Sequence, residues 1–309
     1  MKKTPMTEES TSRTAQSSPP WEDALIVALR DLQCIQKNET AAIAMRRCTD
    51  APTADHSASM QRRLDDLPKP PPLLAKLDGK AESATGDVLT SVQQRFFLFE
   101  MKASKSNLSS EEGKFIYDFL EFLDPEIVED RELLELSRRG HHVLYPLVNG
   151  TGSGAKRGFL PVHEVTLTTR RYYDAVIPSS HHLLKLSLYS NHEIVAADLL
   201  WKEQALGLKA YEMAAYLGTL VAARTDGTSN YPLKCVIAGP DGFFWPCGDL
   251  ASFMEFAKYF DNGTRYSATA YVRYRTLKTR LTQSAMRFRN QTLSHTPPRQ
   301  DDDSLGQRP

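Results

Sequence analysis

Three residues in one short stretch have types and spacing that can support chemistry: Asp87, Glu100 and Lys102. Residues 79–105 read GKAESATGDVLTSVQQRFFLFEMKASK. Within them, Val88-Leu89 to Val92 and Phe96-Phe97-Leu98-Phe99 are β-prone runs separated by Gln93-Gln94-Arg95, which is the pattern of a hairpin. Side chains alternate along a strand, so Glu100 and Lys102 leave one face while Phe99 and Met101 leave the other. Asp87 opens the first strand and can lie across from Glu100. Two close carboxylates in a partly buried place attract a hard divalent cation, Mg²⁺ or Mn²⁺, which Lys102 would flank. In phosphodiester hydrolysis such a metal activates water and polarises the phosphoryl oxygen. A nearby ammonium orients the nucleophile or neutralises transition-state charge. Alternation on a solvated sheet face also generates Glu-x-Lys, so the tripeptide needs its context.

With that context, Asp87, twelve intervening residues and then Glu100-Met101-Lys102 after Phe-Phe-Leu-Phe resemble the signature of the PD-(D/E)XK, or restriction-endonuclease-like, nucleases. The resemblance covers the hairpin and the helix expected after it. It implies that Asp87 and Glu100 bind the metal and that Lys102 is the catalytic lysine. Gly86 stands where the motif has proline, a position often replaced in the family. One subgroup places Gln-x-x-x-Tyr on the next helix; here Gly113 precedes Tyr117 at that spacing, so that subgroup is not matched. Such folds commonly carry a further acid on the helix before the hairpin. Glu39, in Asn38-Glu39, is the candidate third metal ligand, with a solvated or helix-capping acid as the alternative.

The elements that must position these residues follow from periodicity. Residues 1–20, rich in Ser, Thr and Pro, read as a disordered tail, and residues 21–290 as one nuclease-like α/β domain. Trp21, Leu25, Leu29, Leu32 and Ile35 recur at helical spacing after Pro19-Pro20, and this helix continues or restarts after Asn38. Residues 50–72, ending Pro68-Lys69-Pro70-Pro71-Pro72, read as a proline-rich loop or insertion. A helix is expected over residues 111–123, capped by Ser109 or Ser110 and striped by Phe115, Phe119, Phe122 and Leu123. Another runs from Pro125 to Arg139 and ends at Gly140.

His141-His142-Val143-Leu144-Tyr145 reads as a strand whose adjacent histidines face opposite ways, as do those of His181-His182, so neither pair chelates. The glycine-rich turn from Asn149 to Lys156 lacks Walker spacing and reads as a hairpin tip. Strands are expected at 161–169 and 182–189, and a long helix over 196–223 with Gly207 and Gly218 as possible breaks. A late hairpin at 233–245 precedes a helix after Asp249. The fold class read from these elements is α/β, and the resemblance implies a restriction-endonuclease-like core of mixed central sheet flanked by helices, here extended by C-terminal helices and hairpins.

Lysine plus arginine and aspartate plus glutamate each number 38, so attraction to nucleic acid must come from local patches. Residues 271–290, YVRYRTLKTRLTQSAMRFRN, contain no acid. They supply Arg273, Arg275, Lys278 and Arg280, with Lys105 and Lys114 near the hairpin, as candidate phosphate contacts. The alternative is a packing helix whose arginines are solvated or paired with acids elsewhere. Residues 291–309 read as a disordered tail. Cys34, Cys48, Cys235 and Cys247 show no C-x-x-C spacing and read as reduced packing residues. No run approaches a membrane span and residues 1–10 have no apolar signal region, so a cytoplasmic location is expected. The resemblance implies a metal-dependent nuclease, with DNA expected as substrate before RNA; the alternative is a nuclease-like protein that binds nucleic acid or a protein partner without cutting.

Overall fold

The computed structural model describes residues 22–49, 58–59, 74–77, 85–92, 95–149, 164–177, 193–203, 205–224, 232–238, 244–259 and 266–295. The hairpin forms where alternation puts it. β2 (Val88–Val92) pairs antiparallel with β3 (Arg95–Met101), and β1 (Leu74–Lys76) adds to the outer side of β2. The chain then crosses over through a 3-10 turn (Lys105–Glu111), α2 (Phe115–Phe122) and α3 (Val128–Gly140). It re-enters the sheet as β4 (His141–Asn149), parallel to β3, and continues antiparallel through β5 (Glu164–Arg171) and β6 (Ile194–Val195). The result is a six-stranded mixed sheet in the order β1-β2-β3-β4-β5-β6.

Helices cover both faces of this sheet, which makes the fold α/β. On one face Val88, Phe97, Phe99, Met101 and Leu144 pack on Leu25 and Leu29 of α1 (Glu22–Thr49) and on Leu199 and Leu200 of α5 (Ala196–Trp201). On the other, Leu89, Leu98, Val143 and Tyr145 meet α2, α3, α4 (Tyr172–Val176), α6 (Ala210–Arg224), α7 (Leu250–Ala257) and α8 (Ala268–His295). β7 (Pro232–Ala238) and β8 (Phe244–Asp249) form a separate antiparallel pair in which Cys235 and Cys247 are register partners.

Several expectations shift. α1 is one unbroken helix through Asn38. The helix expected from Glu111 begins only at Phe115, because residues 105–111 take up the tighter 3-10 form. The long helix over 196–223 is two, parted at Gly207, which adopts φ +85°, whereas Gly218 stays inside α6. α8 runs to His295, past the tail boundary expected at 290. The glycine-rich turn after Asn149, the strand at 182–189 and nearly all of 50–72 lie outside the described residues. No described helix is long and apolar enough to cross a membrane.

Candidate functional site

Glu100 lies near the carboxyl end of β3 and Lys102 follows it. Lys102 N donates to Leu144 O at 2.9 Å, which extends the β3–β4 pairing by one residue and keeps both side chains on the same face. Phe99 and Met101 go to the opposite core, as alternation requires. Asp87 stands in the bend just before β2, whose register with β3 ends at Val88↔Phe99. Its amide donates to Phe99 O at 2.9 Å, and its carboxylate Oδ2 accepts from Met101 N at 2.5 Å. Gly86, just before it, holds φ +142° and a Cβ there would meet Leu98 Cγ at 3.3 Å. Proline is locked near −65° and could not adopt this backbone, so the departure from the motif follows from local geometry.

Glu100 and Lys102 are both about 96% buried, at 4% relative exposure each. Charges that deep persist only when paired. Lys102 Nζ lies 3.1 Å from Glu100 Oε1 and 2.5 Å from Oε1 of Glu111, which is fully buried. Half-exposed Lys114 closes the ring, at 2.6 Å from Glu100 Oε1 and 2.7 Å from Glu111 Oε1. The Glu111 Oε1 contacts are electrostatic first, since neither ammonium meets that oxygen at a hydrogen-bonding angle. Behind the ring, Tyr172 donates to Glu111 Oε2 at 2.8 Å, and His141 stacks on Tyr172 at 4.4 Å with its Nδ1 3.1 Å from Tyr216 Oη.

Two glutamates and Lys102 thus share one buried volume, with Lys114 at its rim. Burial, then the neighbouring Glu111, raises the Glu100 pKa against the pull of both lysines. Burial alone would lower Lys102 and Lys114, but Glu100 and Glu111 outweigh it and raise both. For Glu111 burial works upward, and the two ammonium groups overcome it to hold the carboxylate below its ordinary range.

Sequence reasoning missed Glu111 as a member of this group. It took the residue for a helix start, where acids are usually solvated. Gly113 carried the usable signal. Its φ of +78° turns the chain between the 3-10 segment and α2, in a conformation that favours glycine, and Lys114 follows at the α2 N-cap.

Glu39 does not join the site. Asp23 of α1 pairs with Lys76, which is in register with Val88, and Gln33 Nε2 donates to Thr90 Oγ1 at 2.9 Å. α1 therefore runs along β2 away from the Asp87 end, on the sheet face opposite Glu100. Glu39 lies further on and is exposed. Of the three expected metal ligands, Asp87 is bonded to the residue after Glu100 and Glu39 is far from both. Among the described residues no group of three or more His, Cys, Asp or Glu side chains is placed to hold a metal ion.

The expected phosphate contacts are spread out. Lys105 is ion-paired with Glu193 at 2.5 Å. α8 packs through Tyr274, Leu277, Leu281 and Ala285, leaving Arg273, Arg275 and Lys278 exposed. Arg280 pairs with Glu132 of α3 at 2.7 Å and Arg287 with buried Asp130 at 2.5 Å, so part of the basic segment neutralises acids within the fold. Arg273 and Arg280 also line a groove of about 740 Å³ with Arg131, Glu132 and Glu212, and none of Asp87, Glu100 and Lys102 takes part in it. His141 and His142 sit on opposite faces as expected, one in the Tyr172 stack and the other against Phe97 and Phe99. No protein-family model matches the chain, and neither does any curated protein or solved structure.

Proposed function

We propose that the chain is a metal-dependent nuclease of the restriction-endonuclease-like type, acting on the phosphodiester bonds of DNA in preference to RNA. One observation carries the reading. A buried lysine stands between buried glutamates at the carboxyl end of a central strand with a parallel neighbour, and the Asp87 carboxylate is held by the amide of Met101, between Glu100 and Lys102 in the chain. Ligand sites of open α/β sheets gather outside the carboxyl ends of parallel strands. Burying three charges is unfavourable compared with an apolar core of the same volume, and such clusters concentrate where chemistry requires them.

The donor set fits Mg²⁺, which keeps several waters and is commonly held by only one or two carboxylates. Asp87 and Glu100 would hold it, and when bound it supplies charge to the phosphoryl oxygen and activates the attacking water. Lys102, fixed by Glu111, presents an ammonium within a dry site where its charge acts on developing phosphoryl negative charge at high strength. The Met101 amide fixes Asp87 Oδ2, so this carboxylate keeps its orientation without needing the metal.

A second reading has its own support. Both glutamates already have ammonium partners, as would suit a protein that binds nucleic acid without cutting it. Incubation with linear, circular and single-stranded DNA in Mg²⁺ or Mn²⁺, against chelator, separates the two. The nuclease reading expects divalent-dependent cleavage that disappears in Asp87→Asn, Glu100→Gln and Lys102→Met, with effects that do not add. Binding without cleavage in every metal would favour the second reading, and full activity in any folded variant would remove that residue from the mechanism.

A further inference from the structure

Resting on the nuclease reading, we infer that Lys114 is a displaceable cation: its ammonium holds the metal's place beside Glu100, then turns to the substrate phosphodiester when a divalent ion arrives. Three observations meet here. Lys114 and Lys102 both reach Glu100 through Oε1, so two positive charges already crowd one carboxylate oxygen. The two lysines differ in freedom, since the Lys102 side chain is 5% exposed and that of Lys114 is 43% exposed. Lys102 is confined with Glu100 and Glu111, whereas Lys114 reaches in from the rim at the α2 N-cap, after the turn at Gly113.

A dication binding Glu100 repels both ammonium groups, and only Lys114 has an open path away. It need not leave the site. Glu111 Oε1, 2.7 Å from its Nζ, remains as an anchor while the ammonium swings outward. There it meets the chemistry that a metal-bound site would next admit, a phosphodiester oxygen, as a point charge on a flexible stem. Metal and substrate would then bind cooperatively through one side chain, because the first ion frees the group that the phosphate needs. Glu111 acts as a positioning residue for both lysines.

The test is Mn²⁺ binding measured directly, by calorimetry or electron paramagnetic resonance, in the full chain without nucleic acid. Lys114→Met keeps the apolar stem and removes the charge, and Lys105→Met, whose ammonium pairs with Glu193, controls for a general change in protein charge. Removing an ammonium a few ångströms from a metal carboxylate should tighten Mn²⁺ binding roughly tenfold or more, while Lys105→Met changes it by about twofold or less. The Lys114→Met affinity should fall back when Glu100→Gln is added. In the same variant, non-cleavable duplex DNA should bind more weakly with Mn²⁺ than the unaltered protein does. Equal Mn²⁺ affinity in Lys114→Met and the unaltered protein, with binding still abolished in Glu100→Gln, would overturn the displacement and leave the nuclease reading standing. Tightening equal to that of Lys105→Met would do the same. Absence of Mn²⁺ binding in all of these proteins would overturn both.

Discussion

The chain has two charge-rich regions, the end of β3 and the length of α8, and they use charge in opposite ways. At β3 three charges are drawn into the interior with Lys114 at the rim, and each faces an opposite charge at 2.5–3.1 Å. Along α8 the arginines lie at the surface or lean on acids of α3, and the helix is held by apolar contact. Phe288 sets its ring against Phe119 and Phe122 at 5.1 and 5.3 Å. A run of like charge in sequence is thus a poor guide to where electrostatics matters. Energy concentrates where water is excluded, and a solvated arginine at the same spacing contributes little.

The largest effect should come from breaking the buried ring. Glu111→Ala leaves Lys102 buried with half its compensation, and removing one partner from a buried ion pair costs about 3–5 kcal/mol. Equilibrium denaturation of Glu111→Ala checks this, and a destabilisation under about 1 kcal/mol would show that the ring carries little of the stability.

Next in size is a pH effect from two buried neutral histidines, His141 behind the ring and His142 on the opposite face of the sheet. Burial depresses the pKa of His141 from 6.5 to about 3 and that of His142 to about 4. Below about pH 6.5 the unfolded chain takes up those protons and the folded chain does not, so stability falls as pH drops toward the folded values. Each histidine contributes about 1.4 kcal/mol per pH unit, or roughly 2 kcal/mol by pH 5. His141→Phe, which keeps an aromatic ring against Tyr172, should flatten the stability profile between pH 7 and 5 by about half. An unchanged slope would place the acid sensitivity elsewhere.

The smallest effects belong to α8. Arg280→Gln breaks a partly exposed pair with Glu132 and should change stability by no more than about 1 kcal/mol. If α8 touches DNA, Arg273→Gln with Arg275→Gln and Lys278→Gln should lower the salt slope of duplex binding by roughly 0.9 for each phosphate no longer neutralised. An unchanged slope would confine α8 to packing.

Much of this was legible in the sequence. The hairpin, the face shared by Glu100 and Lys102 and the opposed histidines all follow from period-two alternation, which is a local property of the strand. What alternation cannot supply is where separate elements meet. Glu111 and Lys114 reach the site through a 3-10 turn and a positive-φ glycine, and no local period marks that approach. Glu39 was misplaced because its distance from the hairpin in sequence says nothing about the direction of α1 across the sheet. Arg280 gave no sign of its partner because Glu132 lies 148 residues away.

The amino end of β3 has a consequence for how the protein is made. Arg95 donates to Leu200 O and Leu206 O, each at 2.8 Å, and also to Glu203 O. Phe96 and Leu208 exchange backbone hydrogen bonds of 2.7 and 2.9 Å. The strand that carries Glu100 is therefore tied to chain that leaves the ribosome about a hundred residues later. Until then the hairpin has its turn and its alternation but lacks this tether, and it must wait with Phe96 and Phe97 incompletely covered. Closing so long a loop is slow relative to forming the hairpin itself. The site strand would thus be synthesised well before it is fastened, and chains halted before Leu208 should be the ones that chaperones hold and proteases clear.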